Sequence, residues 1–450
     1  MKGAIKLKKV LAIAIIILLA LNSLTIGYAE EIKKDDMTGH WAEETIKKWK
    51  EKELMKGYPD GTFRPDDNIT KAELITLINR IYGYYEKAEE NYTDVKENDW
   101  YYNAVSIAKA NKYMQWYQKK ELKPNQKITR QEVCAIIASL QQLQSTEELT
   151  NINSFNDKDT LSQWSKQYID AVVNSGYMKG YPDNTIRAEG NITRAEVVTM
   201  LDRVVGELIN SSGTYGTKDK KQTIEGNLTI NTKGVLLQNT TIKGNLILAA
   251  GIGQGEVDLE NVTVKGKTII NGGGENSITF KNSKLGELLV YKKDGKIRVV
   301  SKNSEIGKAV LQSSAKMEVS SKSVPVEILG MGSKVELKGN FDQIIIQAQA
   351  EIIITRDTEI KEMTFNASAE VTGKGKINKV LLNSDGVKIE QKVQEIIIVG
   401  ADTSGIKEDK PSSGGSSGGG GSYIKSNYKL IISTIIGNIF NGNIIDVPEE

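Results

Sequence analysis

Apolar residues fall into three regimes along this 450-residue chain. From Val10 to Leu21 they run unbroken. From Trp41 to about Ile209 they recur at helical intervals: Trp41, Thr45 and Trp49 lie four apart, and Leu74, Ile75, Leu77, Ile78 and Ile81 form a second stripe. From Gly213 to near Gly400 they come in short β-branched runs punctuated by Gly and Asn, a pattern that predicts strands.

The helical regime is written three times. ITKAE (Ile69–Glu73) returns as ITRQE (Ile128–Glu132) and ITRAE (Ile192–Glu196). Trp41, Trp100 and Trp164 keep the same offsets, as do Met55, Met114 and Met178, with Asp36, Asp94 and Asp157 following to within one residue. Each unit reads helix, turn, helix. In GYPDG, Pro59 presets φ and Gly61 accepts the positive φ that follows; Asn184 serves in the third copy. The middle copy has Lys119-Lys120 there, so a different turn is expected. One helical pair cannot bury both faces alone, whereas three around a shared core can.

Thr70 with Glu73, Thr129 with Glu132, and Thr193 with Glu196 have capping-box spacing. Between them stand Lys71, Arg130 and Arg194, cations facing the positive end of a helix dipole. Three such placements point to use. A cation beside free backbone N–H groups is an anion site, and a charge-assisted contact to a carboxylate contributes ~1.5–3 kcal/mol. Trp41, Trp100 and Trp164 suit either a core staple or a platform for a sugar ring. Asp36, Asp94 and Asp157 suit either turn stabilisation or a site, and Cys134 aligns with Ile75 and Val198 as a core filler.

HWAEETIKKWKEKELMKGYPDGTFRPDDNITKAEL closely resembles the S-layer homology module, whose marks are an Asp-aliphatic pair, a Trp-led helix, GYPDGTFRP and ITRAE. The match covers about Asp35 to Ile209 and is most specific in units one and three. The resemblance implies an all-α pseudo-threefold bundle that attaches exported proteins, without a covalent bond, to secondary cell-wall polysaccharide of Gram-positive walls, often through a pyruvylated sugar. Carried over by position, Lys71, Arg130 and Arg194 would meet the ketal-pyruvate carboxylate. Trp41, Trp100, Trp164, Asp36, Asp94, Asp157, Gly57 and Gly180 would shape the grooves between units. In the middle unit Gln115-Trp116-Tyr117 stands where Gly-Tyr-Pro is expected, so one or two working grooves are expected rather than three.

In the strand regime, IEGNLTI (from Ile224), IKGNLIL (from Ile242) and VKGKTII (from Val264) recur, followed by a weaker LGELLVY at Leu285. The expected fold is a right-handed parallel β-helix-like solenoid, with a stacked β-sandwich as the alternative. Asn-x-Ser/Thr triplets such as Asn239-Thr240-Thr241 read as turn and strand composition. Catalysis there would need two carboxylates within ~5–10 Å, and Asp258, Glu260, Glu287 and Glu318 show no evident pair. A non-enzymatic protein is therefore expected, with a wall-anchored polysaccharide-degrading enzyme as its rival. An adhesin or assembly partner is a third reading, marked by an apolar or aromatic exposed face.

Composition limits the rest. Lys+Arg total 59 against 57 Asp+Glu, which points to no nucleic-acid partner. The single Cys134 permits no internal disulfide, and the single His40 leaves no multi-histidine metal site; no cofactor is expected. A basic start, the Val10–Leu21 run and Gly27-Tyr28-Ala29 have the layout of a secretory signal peptide cut after Ala29, the run being short for a span of ~20 residues. The expected division is a signal peptide over 1–29, modules over 30–91, 92–154 (degenerate) and 155–212, a solenoid over 213–402, a Gly/Ser-rich linker over 403–422 and a short segment over 423–450. The expected place is the cell wall or surface layer, with other surface proteins as further partners and the membrane met only through the signal peptide.

Overall fold

A computed structural model describes residues 35–89, 92–144, 148–276, 278–292, 295–320 and 322–398. The expected signal peptide, the Gly/Ser linker and the C-terminal segment lie outside these residues.

Among the described residues six α-helices form three pairs: α1 (Glu43–Glu51) with α2 (Lys71–Tyr82), α3 (Tyr102–Ala110) with α4 (Arg130–Leu140), and α5 (Lys166–Asn174) with α6 (Arg194–Val205). The second helix of each pair opens on a complete capping box, Thr70/Glu73, Thr129/Glu132 and Thr193/Glu196. The isoleucines before these caps meet on the pseudo-threefold axis. Ile69 N–H donates to Ile192 O, Ile192 N–H to Ile128 O and Ile128 N–H to Ile69 O, each at 3.1 Å. All three side chains are buried, so the repeated Ile-Thr closes a ring of backbone bonds in an apolar centre. Cys134 lies in that core, and burial pushes its thiol up to about 12. No helix among the described residues is long and apolar enough to cross a membrane.

The second half is a parallel β-solenoid. Its register follows the sequence repeat: Ile224 pairs with Ile242, Ile242 with Val264, and Val264 with Leu285. Among the described residues its strands pair in parallel throughout, which excludes the sandwich, whose sheets are antiparallel. Coil length varies along the stack, between the 22-residue step Val235↔Val257 and the 16-residue step Val380↔Ile396. Asn239, Asn261, Asn282 and Asn303 occupy one corner in successive coils at φ 48°, 56°, 50° and 47°. Asparagine tolerates this left-handed conformation, and Asn303 Nδ2 donates to Asn282 Oδ1 at 2.7 Å along the column. In the Asn239 triplet the asparagine makes the turn, and Thr240 and Thr241 open the strand Thr240–Ile242.

Bundle and solenoid share a join. α6 stops at Gly206 (φ 66°), where an added Cβ would lie 2.0 Å from Asn227 O, and the first strand, Glu207–Ile209, pairs with Leu228–Ile230. The last carbonyls of a helix lack intrahelical donors. Solenoid side chains supply them: Asn227 Nδ2 donates to Val204 O and Thr229 Oγ1 to Val205 O, both at 2.8 Å, while Asn231 Nδ2 reaches Ile81 O of α2 at 2.8 Å. Ile247 and Ala249 pack into the bundle's core. The bundle thereby covers one end of the stack, which would otherwise be an exposed sheet edge.

Candidate functional site

The residue after each helix cap crosses to the next unit. Lys71 meets Glu132 at 2.9 Å, Arg130 meets Glu196 at 3.4 Å and Arg194 meets Glu73 at 3.8 Å, closing a second ring around the axis. Each cation is only 4% exposed. Arg130 Nε donates to Ile186 O at 2.8 Å and Arg194 Nε to Phe63 O at 2.8 Å, so each guanidinium also holds the turn of the neighbouring unit.

This placement corrects one premise of the sequence reading. The N–H groups at the helix starts are not free: those of Lys71 and Ala72 donate to Gln126 O and Pro124 O. Those of Arg130 and Gln131 donate to Gly190 O and Ala188 O, and those of Arg194 and Ala195 to Asp67 O and Pro65 O. Neighbouring turns take the donors that an anion would have used. Any anion here is left to the side-chain cation.

A tyrosine lies against each cation. Tyr58 sits between Arg64 (4.2 Å) and Arg194 (4.7 Å), Tyr181 between Arg187 (4.1 Å) and Arg130 (4.5 Å), and Tyr117 under Lys71 (4.9 Å). Tyr58 OH donates to Glu73 Oε1 at 3.1 Å and Tyr181 OH to Glu196 Oε1 at 2.6 Å. Burial pushes the Glu73 carboxyl up, but the Thr70 backbone and hydroxyl, the Tyr58 hydroxyl and Arg194 outweigh it, and its pKa ends below the ordinary value. Arg194 is also lowered, because burial outweighs its attraction to Tyr58 and to Glu73. A cation whose carboxylate stands 3.8 Å away is incompletely compensated.

The three grooves draw one part from each unit. The first holds Trp41, Arg130, and Gly180 with Tyr181 and Glu196 around a cavity of about 510 Å³. At the other two boundaries Arg194 meets Glu73 and Tyr58, and Lys71 meets Glu132 and Tyr117. By the repeat, Trp100 and Gly57 are the equivalents of Trp41 and Gly180 at the first of these, and Trp164 is the equivalent of Trp41 at the second. Trp41, Trp100 and Trp164 are 64%, 63% and 43% exposed, so they are not core staples. At Gly57 an added Cβ would lie 2.6 Å from Thr62 O, and at Gly180 it would lie 2.4 Å from the Phe155 ring. Asp36, Asp94 and Asp157 bind backbone: Asp36 accepts from Phe63 and Arg64 N–H, Asp94 from Leu122 and Lys123, Asp157 from Ile186 and Arg187. They act on a groove through the turn they hold, whose residues Arg64, Lys123 and Arg187 all have positive φ.

The middle unit departs from the alignment expected of it. Trp116, not Gln115, occupies the glycine position, and Tyr117 keeps the place of Tyr58 and Tyr181. The turn changes with it: Tyr58 and Tyr181 N–H donate to Thr62 O and Thr185 O, whereas Tyr117 N–H donates to Met114 O. The Trp116 ring stacks on Trp164 at 5.3 Å and 5°, so an indole covers the tryptophan face that is open in Trp41 and Trp100. The tyrosines escaped the sequence reading although their offsets match those of the tryptophans.

On the solenoid, the candidate carboxylates face cations. Glu260 meets Lys281 at 2.8 Å, Glu287 meets Lys267 at 3.6 Å, and Glu318 meets Arg298 at 2.8 Å and Lys316 at 3.4 Å. Arg298 hydrogen bonds hold Glu318 below the ordinary carboxylate range, and Lys316 does the same for Glu336. Asp258 is exposed on the strand Val257–Glu260.

A family model of the S-layer homology domain matches residues 35–75, 91–134 and 154–198. The chain is 33% identical to the Cellulosome-anchoring protein of Acetivibrio thermocellus over 33% of its own length and 35% of that protein. It is 28% identical to Exoglucanase XynX of the same organism over 37% of the chain and 16% of that protein. To the Surface layer protein of Brevibacillus choshinensis it is 24% identical over 77% of the chain and 31% of that protein. The chain spans about a third or less of the length of the curated relatives it matches.

Proposed function

The helical bundle consists of three S-layer homology domains, which bind cell-wall polysaccharide and anchor proteins at the cell surface, and we propose that this one holds a pyruvylated secondary polysaccharide in two of its three grooves. The observation that carries this reading is the difference between the pairs. Arg130 stands 3.4 Å from Glu196 in a cavity with Trp41 and Gly180, and Arg194 3.8 Å from Glu73, while Lys71 stands 2.9 Å from Glu132 over Tyr117, whose neighbour Trp116 is stacked on Trp164. A ketal carboxylate reaching Arg194 completes a charge that burial has left short, one reaching Arg130 adds a second carboxylate beside Glu196, and the sugar ring lies on Trp100 or Trp41.

In this reading the solenoid is a spacer, array or display element. Its charges support that role: the carboxylates that a glycan-degrading site would need are held ionised by cations, whereas a general acid needs a raised pKa. The exposed large apolar residues of its described part are Leu329, Met331 and Ile353, with no aromatic among them, which disfavours an adhesive face. The test is co-sedimentation of the full chain with purified Gram-positive walls before and after chemical removal of pyruvyl groups. Retention should fall with the pyruvyl content, and equal retention on both wall preparations would sink the carboxylate mechanism.

A further inference from the structure

One wall of the middle unit turns basic where the others are acidic or neutral. Lys112, Lys119 and Lys120 stand where the first unit has Glu53, Asp60 and Gly61, and where the third has Gly176, Asp183 and Asn184. The backbone supports this alignment, since Glu53, Lys112 and Gly176 share a positive φ of 55°, 59° and 71°. In the outer units Asp60 and Asp183 clamp Arg64 and Arg187 at 2.6 Å and accept from Thr62 and Thr185. The middle turn has no such clamp. It is tied instead by Thr93, whose N–H and hydroxyl donate to Lys120 O at 3.1 and 3.2 Å, leaving both lysine side chains exposed.

These three lysines, with Lys109, Tyr92 and Tyr117, line a cavity of about 700 Å³. Lys109 Nζ lies over the Tyr92 ring at 5.5 Å, and Tyr92 meets Tyr117 edge-on at 6.0 Å. Among the described residues, no carboxylate lines the cavity and none of the four lysines forms an ion pair. We propose that this cavity binds a phosphodiester-linked polymer, a chain of polyol or sugar units joined through phosphate. The cations are all lysines, compact charges that suit tetrahedral phosphate, in contrast to the planar guanidinium forks of the two open grooves. The tyrosine faces lie against the carbon face of the unit between phosphates. The middle domain thus keeps a polyanion contact after Trp116 has closed its groove, and this contact does not depend on pyruvylation.

The test uses the full chain with poly(glycerol phosphate) and with polygalacturonate of equal charge, titrated from 50 to 200 mM salt. Lys112→Glu/Lys119→Asp/Lys120→Gly installs the first unit's residues, and Lys119→Ala/Lys120→Ala is the milder variant should the triple one not fold. Binding of the phosphate polymer should weaken at least ~10-fold in the triple variant, and the log K against log salt slope should become shallower by about 2, some 0.7 for each phosphate no longer neutralised. Arg130→Ala/Arg194→Ala should leave this binding unchanged, and the lysine variants should keep pyruvyl-dependent retention on walls, so the two sites fail separately. Equal binding of the phosphate polymer by wild type and both lysine variants, no binding by wild type, or equal affinity for polygalacturonate would overturn the proposal.

Discussion

Bundle and solenoid place charge in opposite ways. In the bundle, three cations are buried at the unit boundaries, each facing a carboxylate from the next unit. In the solenoid, pairs such as Lys243–Glu225 (2.7 Å), Lys281–Glu260 (2.8 Å) and Lys376–Glu359 (3.2 Å) run from coil to coil at the surface. Stacked parallel coils put equivalent positions side by side, and opposite signs there avoid like-charge repulsion. The ladder answers a need of the architecture. On the proposed reading the buried ring does more: its two arginine pairs, at 3.4 and 3.8 Å, are the long ones, and the difference would separate charge that builds a fold from charge that awaits a ligand.

The most severe break of this comparison is Arg130→Ala/Arg194→Ala. Loss of one charge-assisted contact of ~1.5–3 kcal/mol is about 10- to 100-fold, so removing both should reduce wall retention at least ~100-fold in co-sedimentation. Lys71→Ala leaves Glu132 buried without its partner and should lower the stability by ~3 kcal/mol in denaturant melts, yet leave wall affinity near wild type. Equal loss of binding from Lys71→Ala would show that the third groove is open after all.

Glycines sharpen the contrast at the next scale. Gly180→Ala forces a Cβ to 2.4 Å from the Phe155 ring and 3.0 Å from Thr185 O. Chemical denaturation should show a loss of ~1–3 kcal/mol together with weaker wall retention. Gly226→Ala in the solenoid meets nothing within 4 Å and should stay within ~0.5 kcal/mol. Trp116→Gly should then do the reverse of Gly180→Ala. It removes an aromatic stack of ~0.5–1.5 kcal/mol but frees Trp164, and a third attachment point should raise retention several-fold in a dilution assay.

Acid tests the buried ring from another side. The Glu73 pKa is depressed from its ordinary 4.5, so the stability it contributes is complete above about that pH and is lost as pH falls through its lower folded value. Thermal melts of Glu73→Gln should therefore lie below wild type at pH 7 and converge on it as the pH is lowered past 4.5. A constant gap between pH 7 and pH 3 would mean that the carboxylate's charge is not what holds Arg194 and Thr70.

Much of this was legible in the chain because repetition makes local signals agree. The capping boxes, the three helix pairs and the Ile224/Ile242/Val264 register all follow from residues whose neighbours in sequence decide their conformation. What escaped were contacts set by closure of the threefold. That Pro124, Ala188 and Pro65 carbonyls occupy the N–H groups at the helix starts, or that a cation of one unit meets the glutamate of the next, depends on partners more than 50 residues away. The tyrosine beneath each cation was available from its offsets and was hidden by the tryptophan beside it. Trp116 is the instructive case: as an interruption of Gly-Tyr-Pro it signals decay, and its stack on Trp164 is a contact that only the folded chain reveals.

The smallest effect belongs to the ladder. Lys281 and Glu260 are exposed and 2.8 Å apart, so their attraction competes with water and with the side-chain entropy of holding two flexible arms together. Lys281→Met should change the stability by no more than ~0.5 kcal/mol, a difference that 1 M salt should erase because the Debye length there is about 3 Å. A like-charge substitution, Lys281→Glu, should cost more than Lys281→Met, since the new carboxylate would face Glu260 in the coil before it. Were Lys281→Met to destabilise the chain by several kcal/mol in high salt, the ladder would have to be counted with the buried ring as part of the core. The contrast between the two halves would then rest on geometry alone.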